Sequence, residues 1–290
     1  MELKNIFYEK KDGIAKITLD KPEKMNAICQ PMIDSIKLAL DDARQDETVK
    51  CLIFAATGDR AFCTGHDINM FTQWYGFSTD KTKQRKETQE FKLRRDRKLA
   101  EYYNEIFLFP KVTIAQINGL TIGAGMFLLL GCDMAIAADT AKFGHSEMRF
   151  GHGGSTYMLP MQIMQYGYKK ARELMLLGEA IDADEAVRIG IINKHVPFDQ
   201  LAEETMRYAK GVCLTPADGI AIGKAHTHQV LDALGITSGL ASGYIGHALF
   251  NNLRYGKEDY NFFKHAATKG FTKAAHERNE RYERLGFKSK

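Results

Sequence analysis

At 290 residues, with 44% hydrophobic and 26% charged positions, the chain has the make-up of a globular protein able to bury a substantial core. Its net charge of +4, with basic residues dispersed among acidic ones, argues against a dedicated nucleic-acid binder and leaves room for a small anionic ligand. The five cysteines form no CxxC pair, the opening MELKNIFYEKKDG carries no apolar signal region, and no apolar run is long enough to span a bilayer. A reducing, cytoplasmic setting without a membrane partner is expected.

In chain order, Ile14 to Leu19 reads as a strand. Pro31 to Arg44 has helical spacing, with its proline suited to a first turn. Cys51 to Ala55 reads as a second strand, leading into Arg60-Ala61-Phe62-Cys63-Thr64-Gly65-His66-Asp67-Ile68. Thr72 to Glu105 is polar and densely charged, which predicts a long solvated helix or insert, with a mobile cover over a site as one use for it. Val112 to Ile117 and Met134 to Ala138 are further strands. From Asp182 onward the pattern is mostly helical, apart from a strand in Ile191 to Val196. Strands separated by helices imply an α/β crossover architecture with buried parallel pairing. Neither an internal repeat nor a low-complexity linker marks separate units.

Two glycine-bearing turns carry the chemistry. A glycine between a strand and a helix leaves backbone N–H groups pointing outward, where they suit an anionic oxygen. Gly65-His66 and Gly123-Ala124 each fit that description, the second within Asn118-Gly119-Leu120-Thr121-Ile122-Gly123-Ala124-Gly125-Met126. The glycines of the second segment do not give G-x-G-x-x-G in order, which excludes a dinucleotide fingerprint. Alone, each turn is as well read as simple chain punctuation. Together they can aim two donors at one oxygen, the minimum for an oxyanion hole.

KPEKMNA (21–27), AFCTGHDI (61–68), NGLTIGAG (118–125) and CDMAIAADTAKFGHSE (132–147), continuing through ARELMLLGEAIDADEAVRIGIINKHVP (171–197), resemble the crotonase, or enoyl-CoA hydratase/isomerase, superfamily. The resemblance implies a superhelix of repeated ββα units over 1–197 and a helical C-terminal region, 198–290, that builds homotrimers or homohexamers. It implies that the N–H groups of His66 and Ala124 hold a thioester oxygen, and that coenzyme A enters as part of the substrate, with no separate bound cofactor. Met25, Ala27, Ile28, Thr64, Gly65, Asp67, Ile68 and Gly123 match the coenzyme A and acyl-pocket lining. Asp67 also suits a helix cap.

Glu147 matches the family's second acid/base glutamate. Apolar neighbours such as Phe143, Met148 and Phe150 penalise a bare carboxylate and suit it to shuttling a proton. The position of the first glutamate holds Phe127, which can neither take nor give one. That departure leaves several reactions open. Hydration or hydration with cleavage of a bulky or aromatic acyl-CoA leads, followed by double-bond isomerisation, then hydrolysis of a β-dicarbonyl substrate. A non-enzymatic, RNA- or partner-binding use of the fold is the alternative from another class. His66, His145 and His152 are candidate proton carriers or wall residues. Tyr244 matches a tyrosine of the lyase branch, whereas Phe71 stands where that branch has a phenol-binding tyrosine. His226-x-His228 has no companion ligand and points to different faces of a helix, so no metal is expected.

Overall fold

The computed structural model describes residues 2–67, 70, 87–151, 157–250 and 252–288. Ile68, Phe71 and His152 lie outside them. Among the described residues the strands form two sheets. The larger contains β1 (Ile6–Lys11), β2 (Ile14–Leu19), β3 (Cys51–Ala56), β5 (Val112–Ile117), β7 (Met134–Ala138) and β10 (Lys194–Val196), in the order β1-β2-β3-β5-β7-β10. The smaller runs β4-β6-β8-β9, from β4 (Ala61–Cys63), β6 (Leu120–Ile122), β8 (Lys142–Gly144) and β9 (Ile181–Asp182). Three successive pairs, β3/β4, β5/β6 and β7/β8, each give one strand to each sheet. That alternation is the repeated unit expected of a crotonase-type fold.

Among the described residues, pairing is antiparallel only at β1–β2 and β8–β9. The central strands are covered on both faces, which explains their continuous apolar runs. Cys51, Ile53 and Ala55 face one apolar cluster with Ile114, Ile136 and Ala138, under Leu201 and Ala209 of α6 (Leu201–Cys213). Leu52 and Phe54 face the main core with Ala115, Ile117 and Ala137.

The remaining helices are α1 (Gln30–Gln45), α2 (Gln89–Phe107), α3 (Ala124–Gly131), α4 (Leu159–Leu177), α5 (Ala183–Arg188), α7 (Ala217–Ala233), α8 (Ile236–Phe250), α9 (Phe262–Lys269) and α10 (Phe271–Glu283). None among the described residues is long and apolar enough to cross a membrane. The expectation of a solvated helix before residue 105 is corrected by α2. Its Leu99, Tyr102, Tyr103, Ile106 and Phe107 are buried, and Asp96 on the same helix meets His247 Nδ1 of α8 at 2.8 Å. A helical stripe at the i, i+3, i+4, i+7 spacing is present there beneath a high density of charge.

Every residue of α3 is buried, and it packs directly on β4. A Cβ on Gly125 would stand 2.2 Å from the Cys63 carbonyl oxygen. No rotamer relieves a backbone clash, so Gly125→Ala is expected to lower stability by about 1–3 kcal/mol, as measured by denaturant unfolding.

Candidate active site

The segment 21–28 is folded around Asn26, which is 1% exposed. Its Nδ2 donates to the carbonyls of Thr57 and Ala61 at 3.0 and 2.9 Å, and its Oδ1 accepts from the Lys21 N–H at 2.9 Å. Met25 and Asn26 both take left-handed backbone. This short excursion brings the segment against 64–67: Thr64 Oγ1 donates to the Met25 carbonyl, and Lys21 Nζ meets Asp67 Oδ2 at 2.6 Å. The carboxylate of Asp67, expected to cap a helix or line the ligand, thus ties the two segments together. Ile28 is wholly buried in the main core, so it offers the site only its backbone.

That backbone sets the direction of His66. The Ile28 N–H donates to the Gly65 carbonyl, and the Asp67 N–H donates to the Ile28 carbonyl, both at 2.8 Å. In such a parallel bridge the flanking residues 65 and 67 make the bonds, and the N–H of His66 turns to the opposite side. The start of α3 lies beside this turn. Gly65 lies so close to this start that a Cβ on it would be 3.7 Å from the Ala124 nitrogen. Gly123 has φ 57° and ψ −117°, a conformation that costs glycine nothing and an L side chain much. Ala124 follows as the first helical residue, with ordinary negative φ, so alanine is accommodated there without strain. Being first, it has no carbonyl one turn back for its N–H to bond.

Glu147 opens a 3₁₀ turn, Glu147–Phe150, directly after β8. A Cβ on Gly123 would be 3.1 Å from Glu147 Oε1 and 3.8 Å from Gly65 Cα. Both glycine turns and the carboxylate therefore meet at one point. Glu147 is 14% exposed in its side chain, and neither of its oxygens takes a hydrogen bond among the described residues. His145 is buried with Nδ1 at 3.7 Å from Glu147 Oε2, too far for a hydrogen bond. Neither of its ring nitrogens has a partner among the described residues.

Phe127 is 2% exposed and lies against Tyr103, Tyr157 and His145, at ring-centre distances of 5.1, 5.9 and 6.1 Å. An aromatic wall thus stands against His145, the neighbour of Glu147. Phe150, at the end of the turn, packs on Phe262 at 4.6 Å. Tyr244 is half-buried on α8 against the main core.

Two tyrosines join the site without any local signal in the sequence. Tyr103 Oη stands 2.9 Å from His66 Nε2. The Tyr166 hydroxyl is buried without a partner among the described residues, just before Gly167 (φ 77°, ψ 158°) interrupts α4. Burial first, and then the charge of Glu147, push the Tyr166 phenol far above its ordinary value, so it stays a neutral hydroxyl. Tyr103 is raised well above its ordinary value for the same first reason.

Burial, with His247 adding to it, lowers the His66 imidazole to about 3. An unfolded histidine binds its proton near pH 6.5, so the unfolded chain holds more protons than the native one between these values. The contribution of a neutral His66 to stability is present above about pH 6.5 and is lost as pH falls toward 3. A His66→Gln variant is expected to flatten this acid limb in denaturant midpoints measured from pH 7 to 4.

Comparison with known proteins bears on the same segments. The family model described as enoyl-CoA hydratase/isomerase matches residues 9–243. The chain belongs to that family. EchA13 of Mycobacterium tuberculosis (strain ATCC 25618 / H37Rv), a protein named as an enoyl-CoA hydratase, is 30% identical over 283 residues, covering 89% of this chain and 86% of that one. The crystal structure of an enoyl-CoA hydratase/isomerase from Xanthobacter autotrophicus Py2 superposes with a TM-score of 0.82 at 29% identity, over 97% of this chain and 99% of the other. An enoyl-CoA hydratase from Mycobacterium smegmatis, 22% identical, shares the fold with a TM-score of 0.83, over 97% and 94%. The matched region of this enoyl-CoA hydratase/isomerase family member contains both glycine turns, Phe127 and Glu147, while α9 and α10 lie beyond it.

Proposed function

We propose that this family member acts on acyl-CoA thioesters as a hydratase or hydratase/lyase for a bulky or aromatic acyl group. The observation that carries the reading is the meeting of Gly65-His66, Gly123-Ala124 and Glu147 at one point. The thioester oxygen takes the N–H groups of His66 and Ala124. They stabilise the enolate oxygen that forms when C2 carries charge, and they need no reorganisation to do so.

Glu147 then handles the proton alone. As water oxygen bonds to C3 of an enoyl thioester, the carboxylate takes the water proton and the C2=C3 electron pair moves onto the thioester oxygen. The protonated Glu147 returns that proton to C2, giving the 3-hydroxyacyl thioester. In the cleaving direction, Glu147 takes the 3-hydroxyl proton, the C2–C3 bond breaks, an aldehyde leaves, and the shortened enolate is protonated at C2. The aromatic wall of Phe127, Tyr103 and Tyr157 supports a flat or bulky acyl group.

Phe127 also favours a second reading. With one carboxylate, a proton taken from C2 and returned to C4 isomerises the double bond and needs no water. Mass spectrometry of products from enoyl-, cinnamoyl- and cyclic acyl-CoA thioesters separates the two. A gain of one water, or a split product, supports the leading reading; unchanged mass with a shifted absorbance supports isomerisation.

A further inference from the structure

The last helix, α10, packs over the turn that carries Glu147. Its Arg278 is 5% exposed, with the guanidinium carbon 3.7 Å from the centre of the Phe150 ring and 5.6 Å from that of Phe262. Nε and Nη2 donate to Asn279 Oδ1 at 2.9 and 2.6 Å. Nη1 is buried and has no hydrogen-bond partner, and no carboxylate pairs with this guanidinium among the described residues. Arg149, from the same turn as Glu147, spends its donors on the carbonyls of Leu177 and Lys288 and lies over Tyr282. It adds a second positive charge to the neighbourhood instead of neutralising the first.

A buried cation with no carboxylate within pairing distance is costly, and the faces of Phe150 and Phe262 offset only part of that cost. Burial, followed by repulsion from Arg149, lowers Arg278 to about 10, against the opposing pull of Tyr282, Tyr260 and Glu147, so it remains charged at neutral pH. Its place relative to Glu147 is set by the turn. In a 3₁₀ helix residues i and i+3 stand on one face, about 6 Å apart along the axis. Glu147 and Phe150 are such a pair, and Arg278 lies on Phe150.

We infer that Arg278 Nη1 forms an anion subsite at the far end of the acyl pocket, so that the acyl chain of the substrate ends in a carboxylate. The inference rests on the acyl-CoA reading of the same site and names its substrate class. An acyl chain whose C2 meets Glu147 and which runs along the turn ends beside this guanidinium. The charge-assisted hydrogen bond formed there offsets the desolvation that Arg278 already bears.

The test is calorimetric binding of two thioesters of equal length, one ending in a carboxylate and the other in a carboxamide, to the wild type, Arg278→Met and Arg278→Lys. The wild type is expected to bind the carboxylate form at least tenfold more tightly. Arg278→Met abolishes that preference, and Arg278→Lys keeps part of it. Equal affinity of the wild type for both thioesters overturns the subsite and leaves the acyl-CoA reading standing; binding of neither overturns that reading and the subsite with it. An undiminished preference in Arg278→Met also overturns the subsite. Should that variant fail to fold, the wild-type comparison decides.

Discussion

Glu147→Gln is expected to lower kcat by about 10²–10⁴-fold, the range typical of losing a positioned general acid/base, while acyl-CoA affinity changes little. The amide keeps the shape of the carboxylate and cannot take a proton. Its position is over-determined: β8 delivers it, Gly123 makes room for it, and His145 and Tyr166 flank it. One control variant sharpens the result. If His145 merely forms the wall, His145→Gln leaves most of the rate, whereas loss equal to that of Glu147→Gln would make it a second proton carrier. Steady-state kinetics and equilibrium binding on the same samples separate lost chemistry from lost affinity.

Ala124→Pro addresses the other half of the site. Proline is tolerated at the first position of a helix, and its fixed φ suits helical backbone, so α3 should form normally. What disappears is the N–H proposed above to hold the thioester oxygen. Removal of one such donor costs about 10²–10³ in kcat, and the same loss is expected here with an unchanged circular dichroism spectrum. Ala124→Gly, which keeps the backbone N–H, should retain the rate. A proline variant of full activity would remove Ala124 from the mechanism.

The sequence disclosed the long, buried pieces better than the short ones. β2, β5 and β7 are apolar runs of five or six residues and were legible end to end. β4, β6 and β8 have three residues each, too few to show any period, yet they deliver Gly65, Gly123 and Glu147 to one place. The glycine turns themselves could be read because φ and close approach demand glycine, and because four motifs recur in order along the chain. β1 was missed since its alternation is blurred by the charges of Glu9, Lys10 and Lys11 on an edge strand. Tyr103, Tyr166 and Arg278 carry no local signature at all. They come from helices whose packing on the site only the folded chain determines, and Arg278 comes from a helix beyond the matched family region.

A thioester enolate formed with the help of one carboxylate is common to all of these proposed reactions. The most direct measurement is exchange of the C2 protons of a saturated acyl-CoA in deuterium oxide, followed by mass spectrometry. Wild-type protein is expected to wash deuterium into C2, and Glu147→Gln to bind the thioester without exchange. Exchange that persists undiminished in Glu147→Gln, or its absence from wild-type protein that binds the thioester, would contradict the account.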